Sequence, residues 1–137
     1  MIPVLRVKPG VTFGRIAPGG FRILAALDDA CLVLKRDLTI TSATDSHHAP
    51  SRHVTGEAFD VSVLGLETWE IRKLVEVLRQ RLSSAFGIWY ETSARVDPIL
   101  APVTLINPEA TAAHIHCQVR RGTSYPPDEG DDDHVTV

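Results

Sequence analysis

Four residues, His53, Asp60, His114 and His116, carry side chains that bind divalent metal ions, and the pattern around them suits a shared site. Zinc takes imidazole nitrogen and carboxylate oxygen, and a catalytic zinc keeps one position open for water. In residues 57–63, Phe59, Val61 and Val63 share one face of a strand, while Ala58, Asp60 and Ser62 share the other. In residues 113–120, Ile115, Cys117 and Val119 take one face, and His114, His116 and Gln118 the other. Each polar set therefore sits opposite an apolar one, away from the core. His53 ends a polar, turn-rich stretch over residues 43–56, too long for a tight turn and placed where a functional loop would sit.

Residues 51–60 read Ser-x-His-x-x-Gly-x-Ala-x-Asp, in Ser51, His53, Gly56, Ala58 and Asp60. This resembles the zinc motif of the D-alanyl-D-alanine carboxypeptidase and dipeptidase family, whose fold Hedgehog signalling domains share. The resemblance runs from about Thr39 to Arg120. It implies Zn2+ as the cofactor, with His53 and Asp60 as ligands. His116, in His114-Ile115-His116, resembles the third ligand of the His-x-His branch. The implied activity is a zinc metallopeptidase hydrolysing peptidoglycan stem peptides, as carboxypeptidase or endopeptidase. Many relatives place a general-base Glu three residues before the last ligand; this chain has Ala113 there. His114 is then the first candidate for the base, since relatives with His-x-His use that position, and Glu91 the second. Relatives also carry a substrate-binding Arg in a Ser-Gly-Tyr-Arg context, where this chain has Ser42-Ala43-Thr44-Asp45. Arg52 is the candidate substitute. Ser51 is a candidate to hold His53 or its loop, and Tyr90 to stabilise an oxyanion. The missing Glu and Arg motivate an alternative: a non-catalytic zinc-binding module of the same fold that binds a cell-wall or protein partner.

Composition frames these expectations. The chain has 137 residues, 44% hydrophobic and 23% charged, which suits one ordinary globular domain. The formal net charge of −3 and the absence of a basic patch argue against a nucleic-acid partner. Cys31 and Cys117 fit neither a disulfide framework nor a Cys-x-x-Cys motif and read as buried thiols. No signal peptide and no span-length apolar run is visible, so the expected starting compartment is the cytoplasm. Action on a cell wall would then require release, as for a phage-type lysin.

The elements that must position the candidates are legible in part. Residues 21–35 have helical spacing at Leu24, Leu27, Ala30, Cys31 and Leu34, after a loop punctuated by Pro18-Gly19-Gly20. Lys35-Arg36 suits the negative end of that helix dipole. Residues 67–86 form the second helix, with Ile71, Leu74, Val75, Leu78 and Leu82 in one stripe and Gly87 closing it. Strands are expected at residues 1–8, 38–42, 57–63, 88–92, 103–106 and 113–120. The expected fold is α+β: one largely antiparallel sheet with two helices on one face. The domain spans residues 1–124, and residues 125–137 form an acidic tail expected to be unstructured.

Overall fold

Strand alternation sorts this chain into a greasy side and a polar side. The computed structural model describes residues 1–44, 53, 55–94 and 96–120. In order they form β1 (Leu5–Val7), α1 (Pro18–Leu34), β2 (Leu38–Ser42), β3 (Ala58–Ser62) and α2 (Thr68–Arg81). There follow β4 (Phe86–Thr92), a 3-10 turn (Ala101–Val103), β5 (Thr104–Ile106) and β6 (His114–Val119). The six strands make one sheet in the order β1-β2-β3-β6-β4-β5. The chain is α+β, as its patterning implies. The acidic tail lies outside the described residues.

The expected largely antiparallel sheet is in fact mixed: mostly antiparallel, with parallel pairings at both edges. The three inner pairings, β2–β3, β3–β6 and β6–β4, are antiparallel. The outer two, β1–β2 and β4–β5, are parallel. The reason lies in the connections. A parallel partner needs a long return path. Helix α1 supplies one between β1 and β2, and the segment carrying the 3-10 turn supplies the other between β4 and β5.

Both helices pack on one face of the sheet, α1 over β1, β3 and β6, and α2 over β4, with the helices touching each other. Phe59, Val61, Ile115, Cys117, Val119, Phe86 and Ile88 bury their side chains beneath them. From above come Ile23, Leu27, Ala30 and Cys31 of α1, and Ile71, Leu74, Val75 and Leu78 of α2. No helix among the described residues is long and apolar enough to cross a membrane.

Three local expectations are corrected. Pro18-Gly19-Gly20 is the first turn of α1, not a loop: Pro occupies the helix start, where its missing N–H costs nothing. That earlier start puts Ile23 in the core and leaves Leu24 half-buried at its edge. Helix α2 stops at Arg81, and Phe86 and Gly87 open β4 instead of ending the helix. Arg36 closes the end of α1 with its backbone N–H on the Cys31 carbonyl at 3.2 Å, but its side chain forks onto Glu70, at 2.8 and 2.9 Å, instead of capping the helix dipole.

Glu70 thus joins the two helices. Its carboxylate also accepts the backbone N–H of Glu67 at 2.9 Å, one half of a capping box that starts α2. It is buried, and the Arg36 hydrogen bond holds its carboxyl below the usual range. A folded-state pKa lowered in this way contributes stability above the unfolded value of ~4.3, and loses it as pH falls through the folded value. Glu70→Gln is expected to lower stability by about 1–3 kcal/mol at pH 7. Urea melts across pH should show the gap between wild type and variant closing below about pH 4.

Candidate metal centre

The cluster of interest is assembled by register. Strand β6 lies between β3 and β4. His116 pairs with Asp60 on one side and Trp89 on the other; His114 pairs with Ser62 and Glu91. Directly opposed side chains on one face are close neighbours. These residues share the face the helices leave uncovered. Three strands thus bring Asp60, Glu91, His114 and His116 together.

His53 arrives from the loop before β3. Its backbone carbonyl accepts the N–H of Gly56 at 3.1 Å, closing a tight turn, and its ring is buried. Gly56 has φ +75°, a conformation open to glycine and strained for other residues. Space matters as much. A Cβ on Gly56 would lie 2.2 Å from the Arg15 carbonyl oxygen, and one on Gly20 would lie 2.1 Å from the Gly56 oxygen. The turn that delivers His53 is therefore pressed against the first turn of α1.

The three imidazoles converge on one oxygen. Asp60 Oδ1 lies 2.8 Å from His116 Nδ1, 3.4 Å from His53 Nε2 and 3.5 Å from His114 Nε2. The outer nitrogen of each ring has its own oxygen partner. His53 Nδ1 is 2.8 Å from the Ala43 carbonyl, His114 Nδ1 2.9 Å from the Ala112 carbonyl, and His116 Nε2 2.7 Å from Gln118 Oε1. A neutral ring that donates through its outer nitrogen turns a lone pair inward, the state a metal requires. His53, Asp60 and His116 present ligand atoms within 4.8 Å of one another. Two imidazoles and a carboxylate suit zinc and similar borderline ions.

Charge is concentrated here. Burial works against ionisation of Asp60, but the hydrogen bonds and charges of His116 and His53 win and hold its carboxyl well below the usual range. Burial pushes the His114 imidazole down; its 2.8 Å bond to Glu91 Oε1 and the Asp60 charge outweigh that and raise it to about 9. His116 is likewise raised against burial, chiefly by Asp60. Glu91 is lowered, first by His114. Without an ion the cluster therefore stores protons, which metal binding would release.

Several expected residues fall elsewhere. Tyr90 pairs with Ile115 and packs against the core, so alternation turns it off the face that carries the histidines. Ser51 and Arg52 lie outside the described residues. The His53 ring is held instead by the Ala43 carbonyl, which accepts from Nδ1 at 2.8 Å. Gln118, which holds His116 Nε2, is signalled in the sequence only by its position two residues beyond His116 on the same strand face. Cys117 is buried on the core side, and burial pushes its thiol up.

Open space flanks the cluster on both sides. One cavity of about 700 Å3 is bounded by Thr41, Ser42, Asp60, Ser62 and His114 among others. Another, of about 340 Å3, is bounded by Trp89, Glu91, Leu105, His116, Gln118 and Arg120. No protein-family model, curated protein or solved structure matches the chain.

Gly56→Ala should lower stability by at least about 2 kcal/mol and weaken metal binding, because His53 moves with its turn. Gly65→Ala is the control. Its φ of +83° is similar, but nothing lies within 4 Å of an added Cβ, so it should lose stability alone. Thermal melts and zinc titrations of both variants check this.

Proposed function

We propose that this chain is a zinc-dependent peptidase acting on peptidoglycan stem peptides, with His53, Asp60 and His116 as the protein ligands. The observation that carries the reading is the convergence of inward ring nitrogens on Asp60 Oδ1, each ring held from outside by an oxygen acceptor. When bound, zinc supplies Lewis acidity, polarising a carbonyl and lowering the pKa of water towards ~7. His114 and Glu91 supply proton transfer. Their 2.8 Å contact holds one proton between Nε2 and Oε1 beside Asp60. Glu91 stays ionised there, which suits a proton acceptor, and His114 stays protonated, which suits a donor to a departing amine. The cavities on either side leave room for an extended peptide across the uncovered sheet face. The motif from Ser51 to Asp60 supports the substrate class through its resemblance to D-alanyl-D-alanine peptidases.

One observation favours a second reading, a metal-binding module without catalysis. Ala113 stands where many relatives place the general-base Glu, and Asp45 where they place the substrate-binding Arg.

Protein dialysed against metal-free buffer is expected to retain about one zinc per chain. It should release new amino groups from purified peptidoglycan. His53→Ala should lose both properties, and His114→Ala should keep the metal while losing at least about 100-fold in rate. Metal without any amine release would favour the module, and no bound metal would end both readings.

A further inference from the structure

The cluster contains more ligands than one ion needs. Glu91, His114 and His116 also present ligand atoms within 4.8 Å of one another. This second set has the chemistry of the first, two imidazoles and a carboxylate, and shares His116 with it. Its members are prepared in the same way. The His114 ring is held at Nδ1 by the Ala112 carbonyl, which orients Nε2 towards Glu91 Oε1, as Ala43 orients His53 towards Asp60. All three are part-buried: the side chains of Glu91, His114 and His116 are 14%, 17% and 16% exposed. An ion there would be partly screened from water yet reachable from the cavity beside Glu91 and His116.

We propose that Glu91, His114 and His116 form a second divalent-cation site, filled at higher metal concentration than the first. The proposal rests on the metal centre described above and adds a neighbour to it. To serve two ions His116 must become a bridging imidazolate: Nδ1 faces Asp60, and Nε2 loses its proton to solvent and gives up its 2.7 Å contact with Gln118 Oε1. The second site fills later because its ion must part the 2.8 Å contact between Glu91 and His114. It also takes over the two groups assigned to proton transfer. Abundant zinc therefore removes the proton relay that scarce zinc depends on, and the site becomes a brake on its own chemistry.

The test is metal counting on the full chain, with zinc alone as the probe. At raised free zinc, equilibrium dialysis is expected to give about two ions per chain for wild type and about one each for Glu91→Gln and His53→Ala. His116→Ala should bind neither tightly. Glu91→Gln keeps the size and shape of the side chain, and an unchanged melting temperature in metal-free buffer confirms that it folds. Wild type saturating at one ion, with Glu91→Gln also binding one and His53→Ala none, overturns the second site and leaves the first standing. Wild type binding none overturns both.

Discussion

The period of two along β6 is the constraint on which everything else rests. Ile115, Cys117 and Val119 face the helices, and His114, His116 and Gln118 face away. Core and cluster are thus two sides of one six-residue strand, and a slip by one residue would bury the histidines and expose the apolar set. The helices enforce the register. They cover one face, so the apolar set has a strong preference for that side, and the polar set is placed by exclusion. Precision at the cluster is a by-product of burial at the core.

The remaining ligand is secured differently. His53 lies on no strand, and its position depends on a turn, a carbonyl and the contact of two backbones. Gly56 and Gly20 let the turn rest on α1, and Ala43 at the end of β2 holds the ring. The helix that roofs the core therefore also braces the loop. Asp60 then draws the rings together, and its charge is kept by the groups it attracts.

The sequence showed the alternating strands plainly, because alternation is local and needs no knowledge of partners. It showed the polar faces of β3 and β6 and hence most of the cluster. It could not show that Glu91 would stand opposite His114, since that depends on β4 pairing with β6 across a distant stretch of chain. Nor does the sequence settle which face Tyr90 takes: Trp89 and Tyr90 put an aromatic ring on each parity of residues 88–92, and only the pairing decides. The parallel edges are not legible, because strand direction is set by connections, not by composition. The start of α1 is hidden because Pro-Gly-Gly ordinarily marks a turn, and the close approach that requires Gly20 is a tertiary fact.

The sheet ends in β1 and β5, each of three residues. A short edge offers a neighbouring molecule few unpaired amides to extend, so this protein has little means of polymerising through its own strands. The sheet face opposite the helices is another matter. Among the described residues that surface carries the histidine cluster, so its contacts are set by side chains rather than by free backbone amides.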